Sequence, residues 1–160
     1  MDAEAFQAEA LRYERLMYHV SLSMLGNNDD CADAVQEALA RAWRKRGSLR
    51  DSAAFKGWLM RILVNTCNDA LRRRKRQRFL PLEEAGLAAP PCQEPSGLQE
   101  ALWQLKPEWR LVLVLHYLEG YSVQEIATAL RLPAGTVKSR MLYARRQLSV
   151  LLKDEWEEPI

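Results

Sequence analysis

Two groups of residues in this 160-residue chain have the side chains and spacing to act on a polyanion. The first is the block RRRKRQR, Arg72 to Arg78, which holds six of the 23 lysines and arginines; the 17 others are outnumbered by 21 acidic residues. Nearly all the excess positive charge behind the formal net charge of +2 is therefore in one segment. Such a block either neutralises a nucleic-acid backbone phosphate by phosphate or forms a solvated basic helix end. The second group is Lys138, Ser139, Arg140 and Tyr143, spaced along the first part of a helix beginning near Ala134. These are positions from which a helix lying in a major groove reaches base edges and phosphates.

Other chemistries lack their residues. His19 and His116 have no ligand-spaced or triad-like partners, no glycine-rich phosphate loop is present and the carboxylates are scattered, so no enzyme, metal or cofactor is expected. Cys31, Cys67 and Cys92 stand too far apart for a C-x-x-C pair and are odd in number. They read as packing or loop residues of a protein in a reducing, cytoplasmic setting. The longest apolar run, Leu111 to Leu115, is far short of the ~20 residues a membrane-spanning helix needs, and MDAEAFQAEA lacks the basic and apolar regions of a signal peptide.

The elements that must position these groups are helices. A first helix is expected over Phe6 to Leu25, ending at the turn Gly26-Asn27-Asn28-Asp29. Val35, Ala38, Leu39, Ala42 and Trp43 then follow helical spacing on one face, as do Phe55, Trp58, Leu59, Ile62 and Leu63. Between them Gly47 is expected to end one helix, and Asp51 or Ser52 to cap the next. From Phe79 to Gly97 the periodicity fails across Pro81, Pro90, Pro91 and Pro95, which marks a linker.

After the linker, periodicity returns at Leu98, with a helix start at Pro107. The stretch YSVQEIATALRLPAGTVKSRMLYARRQL, Tyr121 to Leu148, has the layout of a helix-turn-helix. Ser122 and Glu125 have the spacing of a capping box, and Ile126, Ala127 and Leu130 form the inner face of its first helix. Arg131 to Pro133 form the turn, where Arg131 occupies a position that often holds Gly, so a positive φ there would cost roughly 1 kcal/mol. Val137, Met141, Ala144 and Leu148 form the inner face of the second helix. The fold class is all-α, as two small helical domains: residues 1–78, a linker at 79–97, a helix-turn-helix domain at 98–153 and an acidic tail at 154–160.

In these motifs the chain resembles the extracytoplasmic-function group of the bacterial sigma-70 family. Residues Leu105 to Leu148 resemble region 4; ADAVQEALARAWR, Ala32 to Arg44, and FKGWLMRILVNTCNDALRRRKR, Phe55 to Arg76, resemble regions 2.1 to 2.4. The resemblance implies a factor without catalysis of its own that binds core RNA polymerase, at the β′ clamp helices and the β flap, and directs it to promoter DNA. Asp33, Gln36, Glu37, Arg41 and Arg44 would dock on polymerase. Asn65, Thr66, Cys67, Asn68 and Asp69 fall where the family has its base-reading loop for the -10 strand, with Arg61, Arg72, Arg73, Arg74 and Arg76 on phosphates.

For the -35 element the match points to Lys138, Ser139, Leu142 and Tyr143 near bases, and to Arg140, Arg145 and Arg146 near phosphates or helix neighbours. Tyr143 stands where many relatives carry Arg. The linker, with Glu83, Glu84 and Glu94, resembles a segment that runs through the polymerase active-site cleft, or is a passive tether. An anti-sigma factor, often membrane-bound, is a further implied partner. The competing reading is a stand-alone helix-turn-helix regulator, which leaves Phe55 to Arg76 without a role.

Overall fold

The computed structural model describes residues 1–77 and 97–156, with side chains as far as Lys153. Among these the regular structure is helical and no strand occurs. The linker residues 79–96, Arg78, Cys92 and the tail residues 157–160 lie outside the described residues. The chain divides into two units, Met1–Pro91 and Cys92–Ile160.

The first unit packs four helices: α1 (Ala3–Arg12), α2 (Glu14–Leu25), α3 (Asn28–Arg44) and α4 (Phe55–Gln77). The single helix expected over Phe6 to Leu25 is broken at Tyr13, whose backbone (φ -105°, ψ 11°) leaves the helical range. The break lets Phe6 of α1 and Tyr13 itself both reach the Phe55 ring, at 5.9 and 6.1 Å between centroids. Gly26 ends α2 in the left-handed region (φ 86°), a conformation that favours glycine. Asn27 then caps α3 by accepting from the Asp30 N–H at 2.8 Å.

α3 and α4 pack on each other and on α2. Their shared core is Met17, Val20, Ala38, Phe55, Leu59, Met60 and Leu63, each at most 1% exposed. Two expectations for the α3–α4 connection differ from the structure. Gly47 does not end α3; the helix stops at Arg44, and Gly47 sits within a 3₁₀ turn, Arg46–Ser48. Trp43 is not core but 37% exposed, because α3 ends one residue later and leaves it at the rim. Asp51 does cap, holding the Ala53 N–H at 3.0 Å in a second 3₁₀ turn, Ser52–Ala54, that leads into α4.

The second unit comprises α5 (Gly97–Gln104), α6 (Pro107–Leu113), α7 (Val123–Leu130) and α8 (Ala134–Trp156). Gly97, read as linker, is the first residue of α5, and Asp154 to Trp156, read as tail, are the last turn of α8. α5, α6 and α7 all pack on α8. Leu105, Leu113 and Ala144 form part of the core, with Leu102, Trp109, Leu148 and Leu151 packed against it.

Arg110 is 5% exposed, a burial that periodicity did not anticipate. Its guanidinium donates to the Leu105 carbonyl at 3.2 Å and lies 4.1 Å over the Trp103 ring, so it satisfies the end of α5. After α6 the helix widens into a π turn over Val114–Leu118, with the Glu119 N–H donating to the Val114 carbonyl at 3.1 Å.

Candidate nucleic-acid interface

The helix-turn-helix is built by local chemistry at both of its joints. Ser122 Oγ accepts from the Glu125 N–H at 3.0 Å while Glu125 Oε1 accepts from the Ser122 N–H at 3.2 Å, the reciprocal capping box expected at the start of α7. At the other end Arg131 adopts φ 54°, ψ 46°, with the Leu132 N–H bonded to the Ala127 carbonyl at 3.0 Å. That pattern is a Schellman motif completed by an arginine, and Arg131 is the one non-glycine residue with positive φ among the described residues. α8 follows from Ala134, its inner face holding Val137 and Ala144 at 0% and Met141 at 3% exposure. Leu130 and Leu148 are only half-buried.

The outer face of α8 carries the side chains singled out from the sequence. Lys138, Ser139, Leu142, Tyr143, Arg145 and Arg146 are all exposed. Arg140 differs, being half-buried and paired with Glu108 of α6 at 3.6 Å. Arg145 is engaged as well, donating to the Tyr117 hydroxyl at 3.0 Å. The Tyr143 ring lies 6.1 Å from that of Trp109, and Lys106 stands 4.9 Å over the same indole. Lys106, Glu108, Trp109 and Tyr117 therefore border the outer face of α8. Nothing in the local sequence singles them out, because their position beside α8 is a tertiary fact.

In the first unit the structure separates residues that the sequence grouped. Asn65 to Asp69 do not form a loop; they lie inside the 23-residue helix α4. Thr66 is 1% exposed, with its hydroxyl donating to the Ile62 carbonyl at 2.7 Å, and Cys67 is 0% exposed. Helical geometry turns these two toward the core and withdraws them from any strand at the surface. Asn65 is exposed, Asn68 and Arg61 half-buried. Among the described residues of this unit, the connection between α3 and α4, Lys45 to Ala54, holds only two short 3₁₀ turns and is exposed along most of its length.

Burial pushes the Cys67 thiol up to about 12, with nearby Cys31 adding to the effect. Cys31, 1% exposed on α3, is also raised by burial, in part offset by a hydrogen bond with Ser21. Both are free thiols, held protonated at neutral pH and correspondingly unreactive.

The basic end of α4 is tied to α3 by ion pairs. Arg74 meets Asp30 at 2.6 Å, and Asp69 receives Arg41 at 2.9 Å and Arg72 at 3.2 Å. Arg41 also meets Glu37 at 3.0 Å; Asp69 first, then Glu37, raises the already high pKa of its guanidinium. Among the residues assigned to polymerase docking, Asp33, Gln36 and Arg44 are exposed, whereas Arg41 is turned toward α4. A groove of about 230 Å³ between the helices is lined by Asp30, Asp33 and Glu37 on one side and Arg73 and Arg74 on the other. Arg72, Arg73, Lys75 and Arg76 remain open to solvent. No described helix is long and apolar enough to cross a membrane.

A unit with mixed charges on a firm helical core, followed by a capped helix-turn-helix with an open basic face, is also what comparison with known proteins returns. Residues 10–77 match Sigma-70 region 2 and residues 97–148 match Sigma-70, region 4. The ECF RNA polymerase sigma factor SigM of Mycobacterium tuberculosis is 36% identical over 154 residues, covering 94% of this chain and 79% of SigM. The ECF RNA polymerase sigma-E factor of Escherichia coli is 33% identical, covering 92% of this chain and 86% of its own. Among solved structures, the sigma factor RpoE of Bartonella quintana, in complex with the anti-sigma factor NepR, superposes with a TM-score of 0.78 at 29% identity over 94% of this chain and 98% of that one. CnrH, in complex with the cytosolic domain of CnrY, gives 0.71 at 26% identity over 96% and 90%. With both regions present in order and with relatives matched over most of their length, the chain belongs to the extracytoplasmic-function group of sigma-70 family RNA polymerase sigma factors.

Proposed function

We propose that residues 1–78 bind core polymerase and the -10 strand, that residues 98–153 read the -35 duplex, and that residues 79–97 link the two. The factor selects promoters and promotes melting without a catalytic step of its own. The observation that carries this reading is the outer face of α8, where Lys138, Ser139, Leu142 and Tyr143 stand open to solvent opposite the buried Val137, Met141 and Ala144. That face fits a major groove, with Lys138, Ser139 and Tyr143 toward base edges and Arg145 and Arg146 toward phosphates. Arg140 sits behind it, paired to Glu108.

On the first unit, Asp33, Gln36, Glu37 and Arg44 offer the polymerase a polar, mixed-charge face. Arg41 supports that face from behind through Glu37 and Asp69. Arg72, Arg73, Arg74 and Arg76 take phosphates of the -10 strand; base reading moves from the buried Thr66 and Cys67 to the exposed Lys45–Ala54 connection, with Asn65 and Asn68 on the adjoining surface of α4. Because the similar sigma factor RpoE is seen in complex with an anti-sigma factor, this one is also held inactive by such a partner, in the cytoplasm or at a membrane through that partner.

Replacing Lys138 by Ala tests the assignment on a -35 duplex. Binding should weaken about tenfold, in line with roughly 1–3 kcal/mol for a good base contact, while assembly with core polymerase is unchanged. Equal duplex affinity for variant and wild type would remove Lys138 from the recognition face.

A further inference from the structure

Trp109 lies in the first turn of α6, where its N–H donates to the Lys106 carbonyl at 3.0 Å and the Lys106 ammonium stands 4.9 Å over its ring. The indole packs against the core of Leu105, Leu113 and Ala144. Its ring centroid is 6.1 Å from that of Tyr143, with the planes 32° apart, inside the range of attractive aromatic pairs. The neighbouring pair, Glu108 with Arg140 at 3.6 Å, ties α6 to α8 one turn earlier. Tyr143 is therefore held by a side chain that is itself held, and it still keeps 51% of its surface exposed. On α8 it lies one turn beyond Ser139, on the outer face that carries Lys138 and Ser139.

We propose that Trp109 is a positioning residue for promoter recognition, and that the phenol ring it holds selects a thymine of the -35 element through the C5-methyl group. The ring of Tyr143 presents an apolar edge and a single O–H. In the major groove thymine offers a methyl group to the first and the O4 acceptor to the second. Guanine offers two acceptors, O6 and N7, and its best partner brings two parallel donors, which a phenol lacks. A tyrosine side chain free to rotate would swing away from an unsuitable base at little cost. Against Trp109 the ring has fewer rotamers to lose on binding and less room to avoid a mismatch, so the packing turns contact into discrimination. The inference rests on the reading of α8 as the -35 helix. It adds Trp109, which lies outside the helix-turn-helix, and the base that Tyr143 prefers.

The test uses the full chain assembled with core polymerase on a promoter found by mapping its start sites. Each thymine of the -35 element, on either strand, is replaced singly by deoxyuridine, which removes the C5-methyl group and nothing else, and binding is compared with the parent promoter. At one position the wild-type complex should bind the deoxyuridine DNA about fourfold more weakly, in keeping with one buried methyl group. Tyr143→Ala and Trp109→Leu should each abolish that difference, and the double variant should be no worse than Tyr143→Ala alone. Trp109→Phe, which keeps a ring beside Tyr143, should retain most of it. A loss of packing alone would weaken binding to both DNAs equally and leave their ratio at the wild-type value. Tyr143 is at the surface, so its variant tests the base preference even if Trp109→Leu fails to fold.

The absence of any thymine whose methyl group matters through Tyr143, or a methyl effect that survives Trp109→Leu unchanged, would each overturn the inference. If Lys138→Ala still weakens binding to the same promoter, the reading of α8 stands without it. A wild-type protein that starts no transcription at any promoter would instead refute the sigma reading.

Discussion

The two units present cations at their surfaces in different ways. In the second, the recognition helix is specified almost locally: a capping box, a Schellman turn and a 3.6-residue apolar stripe decide which side of α8 faces out. In the first, α4 is apolar over much of its circumference and is bound along its basic end by Arg41–Asp69 and Arg74–Asp30, pairs that span 28 and 44 residues of sequence. Which of its polar residues reach solvent is therefore settled by α2 and α3. A helix-turn-helix can be read from a short stretch of sequence; a bundle face has to be read from its neighbours.

The largest effect that could break this contrast is the loss of Phe55, the aromatic hub of the first unit. Phe55→Ala should cost about 3–5 kcal/mol, because a large side chain 1% exposed leaves a cavity among Phe6, Tyr13 and Trp58. Hydrogen exchange should show α1 to α4 losing protection while α7 and α8 keep theirs. Equal loss in both units would mean that they do not have separate cores.

A smaller effect sharpens the same contrast through pH. The Cys67 thiol titrates near its ordinary value of 9.0 when unfolded and at about 12 when folded, so the folded state holds its proton more tightly. Its contribution is fully present below about pH 9 and is lost as pH rises toward 12, at roughly 1.4 kcal/mol per unit. Cys67→Ala should flatten the alkaline decline in stability of the first unit and leave the second unchanged. An identical pH profile for variant and wild type would show that the thiol is not buried as described.

The smallest effect belongs to the turn of the second unit. Arg131 has a side chain where φ is 54°, so Arg131→Gly should raise stability by up to about 1 kcal/mol, read as a modest rise in the unfolding midpoint. A fall would mean that the arginine side chain contributes more than its backbone costs.

What could be read from the sequence follows the same division. Ser122, Glu125, Arg131 and the inner face at Val137, Met141 and Ala144 were legible because each depends on neighbours within one or two turns. Asn65 to Asp69 were placed in a loop by resemblance to the family's base-reading segment, yet the apolar residues around them continue the helix and bury Thr66 and Cys67. Trp43 fitted the apolar stripe of α3, but a stripe does not reveal where the packed partner ends. The break at Tyr13 lets rings meet at Phe55 and the buried Arg110 satisfies the end of α5; neither these nor the π turn at Val114–Leu118 left a trace in the periodicity.

Whether this chain directs core polymerase to promoters through both units is decided by transcription with purified core polymerase on a pool of promoter fragments. New start sites should appear that depend on the protein and share a -35 and -10 pair, with Lys138→Ala reducing initiation at each of them. Duplex binding by the protein alone with no new start sites would instead point to a stand-alone helix-turn-helix regulator and rule out promoter selection through both units.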